Sequence, residues 1–161
     1  MTGTEVLMAG FGGQGMLLAG KMLAHAAMTQ GLEVSWLPSY GPEMRGGTAN
    51  VTVCISEHPI GSPLITNPRG LLVMNQPSLE KFAPKVRPGG VIVINTSLVP
   101  TDAERDDCQV VKLPARALAE AAGTDRAANF VMLGTYIGAS QAIPAKTIEW
   151  IAPTRAQASM A

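Results

Sequence analysis

Val6-Leu-Met-Ala-Gly10-Phe-Gly12-Gly-Gln14-Gly15-Met-Leu-Leu-Ala-Gly-Lys21 is the stretch whose reading decides the fold. A short apolar run enters a glycine cluster and a helix-compatible run leaves it, the order of a strand, a tight turn and a helix N-terminus. Gly10, Gly12 and Gly15 have the spacing G-x-G-x-x-G. Each glycine has a physical use there: a turn with positive φ, room for a ligand to approach the backbone, and close packing of helix on strand. The free N–H groups of a helix start favour an anion. The same spacing also serves purely structural turns, so it fixes a local conformation and leaves the ligand open.

Outward from that loop, the helix is expected to run from Gly15 to about Thr29, apolar on most sides, with Lys21 and His25 on its remaining polar face. Gln30-Gly31 supplies its C-cap, and Glu33 to Leu37 reads as the second strand. A dinucleotide site needs an acidic residue at the end of that strand to hold the ribose hydroxyls. The strand instead ends Trp36-Leu37-Pro38, and the next acid is Glu43, which argues against NAD.

Pro38-Ser-Tyr40-Gly-Pro-Glu43-Met44-Arg45-Gly-Gly-Thr48 is too rich in proline and glycine for a regular element, yet it carries Tyr40, Glu43 and Arg45. Arg45 offers a planar fork for a carboxylate or phosphate, and Glu43 can orient it or bridge to another subunit. The plainer alternative is an internal Glu43–Arg45 pair that stiffens the loop. Asn50 to Ser56 alternates as a strand, and a turn through His58 joins it to Leu64-Ile65.

Gly70 to Met74 reads as a strand, and Asn75-Gln76-Pro77-Ser78 opens a short helix through about Phe82, with Pro77 in its first turn. Val91 to Ile94 is a buried central strand with Asn95 at its carboxyl end, where open α/β sheets bind ligands; a strand-to-loop hydrogen-bonding cap is the other reading of Asn95. Thr101 to Asp107 is an acidic solvated loop, and Gln109 to Leu113 a further strand. A helix follows from Pro114 to Gly123, then one capped by Asn129 running to about Gln141, then a last helical segment from Pro144 to about Ile151. Residues 153–161 have no packing pattern and are expected to be poorly ordered.

The alternation gives one α/β domain over residues 1–161, Rossmann-like, with a mainly parallel sheet flanked by helices and an antiparallel insertion around residues 50–65. Twelve basic residues balance twelve acidic ones, which gives no sign of a nucleic-acid or acidic-membrane partner. No apolar run approaches spanning length and the N-terminus lacks a charged signal start, so the expected location is cytoplasmic. Cys54 and Cys108 form no C-x-x-C pair and cannot by themselves hold an iron–sulfur cluster or structural zinc; they are expected to be reduced thiols. There is no G-x-S-x-G, no cysteine beside a histidine and no P-loop lysine, so no catalytic or metal-ligating residue is assigned.

Gly10-Phe-Gly-Gly-Gln-Gly15 followed by Ser39-Tyr-Gly-Pro-Glu-Met-Arg-Gly-Gly47 resembles the gamma subunit of the 2-oxoacid:ferredoxin oxidoreductases, with Tyr40 to Gly47 most similar to the 2-oxoglutarate branch. The resemblance covers about Val6 to Ile143. It implies assembly with alpha and beta subunits carrying thiamine diphosphate, often with a ferredoxin-like delta subunit holding iron–sulfur clusters, and with ferredoxin as electron acceptor. The complex would decarboxylate a 2-oxoacid, transfer the acyl group to coenzyme A and reduce ferredoxin, or run in reverse. This chain alone is expected to be inactive. Family members run further at the C-terminus, so a shortened chain without a docking helix is the expectation. Within that picture Gly12, Gly13, Gln14, Gly15, Arg45 and Asn95 are the candidate coenzyme A contacts, and Tyr40, Glu43, Met44 and Arg45 the candidate subunit interface. A stand-alone Rossmann-type nucleotide- or flavin-binding protein is the competing class, and a purely structural subunit the third.

Overall fold

The structure is a computed structural model that describes residues 3–12, 14–40 and 48–144. Six strands form one sheet: β1 (Thr4–Phe11), β2 (Glu33–Tyr40), β3 (Thr48–Ser56), β4 (Gly70–Val73), β5 (Val91–Asn95) and β6 (Gln109–Leu113). Four α-helices accompany them: α1 (Met16–Thr29), α2 (Gln76–Phe82), α3 (Ala115–Ala121) and α4 (Ala128–Ser140). The strand order is β2-β3-β1-β4-β5-β6. β1, β4, β5 and β6 pair in parallel, and β3 runs antiparallel to both of its neighbours.

Side chains alternate across the sheet and so feed two cores. On one face Val6, Met8, Val51, Val53, Leu72 and Val93 pack with α1 and α4 through Met16, Leu23, Met132, Leu133 and Tyr136. On the other, Leu7, Leu71, Val73, Ile92 and Ile94 pack with α2 through Leu79. β1, β4 and β5 are covered on both faces, which is why they read as continuous apolar runs.

Three expectations change. The antiparallel insertion is the single strand Thr48–Ser56: Leu64-Ile65 adds no strand, and the Leu64 side chain lies in solvent. β2 does not stop before Pro38 but continues to Tyr40, with Pro38 opposite Val51. It can do so because β2 is an edge strand, where a missing N–H costs no ladder bond on the open side. Asn129 does not cap α4; the helix begins at Ala128 after a 3₁₀ turn over Asp125–Ala127, and Asn129 sits inside the first turn with its side chain turned to the glycine loop. The helical segment expected after Pro144 and the tail at 153–161 lie outside the described residues.

Candidate functional site at the carboxyl edge of the sheet

β1 ends at Phe11, and its partner register puts Gly10 opposite Ala49 and Phe11 opposite Thr48. Tyr40 in turn pairs with Ala49. The chain therefore leaves β1 into the glycine loop and leaves β2 into residues 41–47 at the same edge of the sheet. This backbone register puts Tyr40 and Thr48, the described residues flanking the second motif, at the edge where β1 ends. Gly13, Glu43, Met44 and Arg45 themselves lie outside the described residues.

β1 is also where the winding of the sheet reverses. From β1 the chain crosses through α1 toward β2 and β3 on one side; β4, β5 and β6 extend on the other. α1 packs on one face and α2 on the opposite one, so the chain leaves the adjacent carboxyl ends of β1 and β4 toward opposite faces of the sheet. Open α/β sheets place ligands at such a switch point.

Gln14 bridges the ends of these two strands. Its Oε1 accepts the Phe11 N–H at 2.6 Å, and its Nε2 donates to the Met74 carbonyl at 3.3 Å, immediately beyond β4. Gly12 is exposed, with open space beside its Cα. Gly15 is the residue before α1 and has φ +77, the left-handed conformation that favours glycine. Asn129 is packed against it: Asn129 Nδ2 donates to the Gly15 carbonyl at 3.0 Å. This link spans 114 positions and leaves no mark in the sequence, because a helix-start asparagine already has a local explanation as a cap.

Asn95 is wholly buried at the end of β5. Its Oδ1 accepts the N–H groups of Ser97 and Ala115, both at 3.1 Å, and its Nδ2 reaches the Met74 sulfur at 3.4 Å. The strand-to-loop cap is thus the arrangement found, and the side chain binds the start of α3 to the edge. Asn75, expected as the first residue of the short helix, stands just outside it and caps α2 by accepting the Ser78 N–H at 2.9 Å. A polar residue directly after the apolar run Leu71 to Met74 was the available signal.

Other polar features have structural work. Lys21 stands over the Trp36 ring, 5.6 Å from its centroid, joining α1 to β2. In the acidic loop Arg105 clasps Asp107 with two bonds of 2.6 and 2.8 Å and donates to the Ala83 and Val86 carbonyls. Lys112 pairs with Asp102 at 2.7 Å. Burial pushes the thiols of Cys54 and Cys108 above their ordinary value. A cleft of about 510 Å³ opens at the opposite, amino-terminal edge, beside Arg69, Arg87 and Tyr136. Both arginines there turn to Glu5, at 3.8 and 3.6 Å, and none of the described motif residues lines it. Among the described residues no group of three histidine, cysteine or acidic side chains converges on a metal-sized point, and no helix is long and apolar enough to cross a membrane.

The fold and edge define a class: an α/β domain with a glycine loop at the switch point of a mixed sheet. Residues 5–157 match the family model of pyruvate ferredoxin/flavodoxin oxidoreductase, and the chain belongs to that family. The ketoisovalerate oxidoreductase subunit VorA of Methanothermobacter marburgensis is 45% identical over 133 residues, covering 83% of this chain and 28% of VorA. The 2-oxoglutarate synthase subunit KorC of Methanocaldococcus jannaschii is 34% identical over 148 residues, covering 90% of this chain and 79% of KorC. Among solved structures, the gamma subunit of a keto/oxoacid ferredoxin oxidoreductase from Geobacter sulfurreducens superposes with TM-score 0.81 at 28% identity, covering 94% of this chain and 86% of that one. The 2-oxoglutarate:ferredoxin oxidoreductase of Magnetococcus marinus, solved with 2-oxoglutarate, coenzyme A and succinyl-CoA bound, shares the fold at TM-score 0.74 and 24% identity. This chain spans about a quarter of the length of that protein and of VorA, but four fifths of KorC.

Proposed function

We propose that the chain is the gamma-type subunit of a 2-oxoacid:ferredoxin oxidoreductase and has no activity alone. The observation that carries this reading is the match along nearly the whole chain to a gamma subunit, together with the register that sets the strand ends flanking both sequence motifs at one sheet edge. The same domain recurs as about a quarter of longer relatives and as most of shorter ones, which suits a unit that works in constant contact with other parts of a complex.

In the complex, a 2-oxoacid anion and the thiol of coenzyme A give acyl-CoA, carbon dioxide, one proton and two electrons, the electrons passing to ferredoxin. Thiamine diphosphate and iron–sulfur clusters supply the decarboxylation and electron transfer when bound by the partner subunits. Two widely separated cysteines do not fit a cluster that needs four thiolates, so the clusters belong elsewhere. This chain's share is coenzyme A and interface contact: Gly12, Gly13, Gln14 and Gly15 at the loop, Arg45 for a phosphate, and Tyr40, Glu43 and Met44 against partner subunits. The substrate is a 2-oxoacid. Within that class the Tyr40 to Gly47 motif favours 2-oxoglutarate, and relatives named for ketoisovalerate and for 2-oxoglutarate both align over most of the chain.

The inserted β3 also weakens the stand-alone dinucleotide alternative. It places the end of β2 two ladder steps from the glycine loop, about 10 Å, where a ribose-binding acid would not serve that loop. The test is a pull-down at native expression followed by a coenzyme A titration of the complex, wild type against Arg45→Ala. Co-purified thiamine- and cluster-bearing subunits with 2-oxoacid-dependent ferredoxin reduction support the assignment, and a lone chain carrying flavin or nucleotide refutes it. Unchanged coenzyme A affinity and turnover in Arg45→Ala would remove Arg45 from the site.

A further inference from the structure

The cleft of about 510 Å³ at the amino-terminal edge takes no part in the function proposed above. It lies where β1, β4, β5 and β6 begin and α4 ends. Among the described residues its charged lining is Arg69, directly before β4, and Arg87, in the turn before β5. Both are anchored through their backbones. The Arg69 N–H donates to the Glu5 carbonyl at 3.0 Å, and the Arg69 carbonyl accepts the Val91 N–H at 2.9 Å. The Arg87 N–H donates to the Pro68 carbonyl at 3.0 Å, and its Nε to the Asn67 carbonyl at 2.8 Å. The two guanidinium groups therefore extend from fixed backbone, which limits the ordering cost of binding.

Most of their donors are uncommitted. Glu5 faces both, but at 3.8 Å from Arg69 Nε and 3.6 Å from Arg87 Nη2, beyond hydrogen-bonding distance. Apart from Arg87 Nε, neither guanidinium donates a hydrogen bond among the described residues, and at 52 and 42% side-chain exposure both are within reach of a ligand. A guanidinium carries five N–H donors in a fork that matches a carboxylate. Charge narrows the choice further. Two arginines against Glu5 leave one net positive charge, because the carboxylate of nearby Asp107 is held by Arg105. A monoanion balances that charge, whereas a phosphate dianion would set excess negative charge beside Glu5. The rest of the lining is uncharged, with small apolar surface at Pro88, Val91 and Ala139 and polar groups at Tyr136 and Ser140. The volume falls in the range of small-ligand pockets, roughly 300–1,000 Å³.

We infer that this cleft binds a small monocarboxylic acid, whose carboxylate accepts hydrogen bonds from Arg69 and Arg87 and whose uncharged remainder lies along Pro88, Val91 and Ala139 toward Tyr136. The site is at the sheet edge opposite the glycine loop and is independent of the coenzyme A reading. Arg69 and Arg87 are its binding residues, and Glu5 sets its preference for a single negative charge.

Two-dimensional NMR titration of the full chain tests this with isovalerate, the uncharged isovaleramide of the same shape, glutarate and inorganic phosphate, in wild type, Arg69→Gln and Glu5→Gln. Isovalerate is expected to shift the resonances of residues 69, 87–91 and 136–140 saturably, and isovaleramide to bind at least about tenfold more weakly. Arg69→Gln should weaken isovalerate by about tenfold, the loss of one charge-assisted hydrogen bond. Glu5→Gln leaves two positive charges and should move the preference from isovalerate to the dianion glutarate. Arg69 acting only as a surface partner of Glu5 predicts none of these changes. Shifts that fail to saturate or spread over the whole surface, equal binding of isovaleramide, unchanged isovalerate affinity in Arg69→Gln, or a wild-type preference for phosphate overturns the inference. So does isovalerate binding that disappears once the other subunits of the complex are bound, since the cleft is then partner-covered surface. If Arg69→Gln lowers the thermal midpoint, Arg69→Lys, which keeps the charge and loses the fork, replaces it with the same direction of change expected. The coenzyme A reading stands or falls by its own titration of the complex.

Discussion

Gly15→Ala tests the link between the glycine loop and α4. At φ +77 an alanine is strained by about 1–2 kcal/mol relative to glycine. Its Cβ would also run into the Asn129 side-chain amide, with Nδ2 the nearest atom and Cγ at 3.0 Å. Asn129 is buried and cannot swing into solvent, so it must give up its bond to the Gly15 carbonyl, and leaving those groups unpaired costs a further 1–3 kcal/mol, roughly. The sum is about 2–5 kcal/mol, or on the order of 10 °C in thermal midpoint for a domain of this size. Urea titration of the full chain followed by circular dichroism reads it directly, with the slope unchanged. Asn129→Ala alone removes the bond, and in the double variant the collision is gone, so the two costs should fall short of additivity by about 1–2 kcal/mol. A Gly15→Ala variant within about 0.5 kcal/mol of wild type, or strict additivity of the pair, would refute the reasoning.

Two further predictions concern parts remote from that loop. Gly70 begins β4 directly against Tyr136: an added Cβ would meet the ring, with the hydroxyl at 2.6 Å and Cζ at 2.7 Å, so Gly70→Ala should destabilise by about 1–3 kcal/mol through overpacking. A Gly70→Ala, Tyr136→Leu double variant should recover part of that loss, and failure to recover any would refute the packing account. In the acidic loop, hydrogen bonds from Arg105 and Lys112 hold the carboxyls of Asp107 and Asp102 below their ordinary value. Acids depressed in the folded state contribute stability above the ordinary carboxylate range and lose it as pH falls through the folded values, from about pH 4 downward. Hydrogen exchange, corrected for intrinsic rates, should therefore quicken around residues 101–112 below pH 4 and stay flat from pH 5 to 8, whereas flat protection throughout would contradict the pairing.

The local order of elements was legible in the sequence because it depends on short-range signals. The apolar run and glycines of Val6 to Gly15, the periodicity of Met16 to Thr29, the Gln30-Gly31 stop and Pro77 in the first turn of α2 each act within a few residues, and the structure follows them. The two motifs that resemble the family were equally readable, since residue type and spacing carry them.

What the sequence by itself determined, then, is the strands, the helices, the glycine turn and the absence of a C-x-x-C or P-loop motif. Only the tertiary structure decided that β3 lies between β1 and β2, that Pro38 is tolerated in an edge strand, and that both motif loops leave the same edge. It alone turned Asn129 from a helix cap into a partner of Gly15 and made Asn95, buried at the end of β5, a link to the start of α3. The physical reason is the range of the forces: propensity and turn chemistry act along the chain, whereas strand order and buried hydrogen bonds are settled by which distant faces must exclude water together.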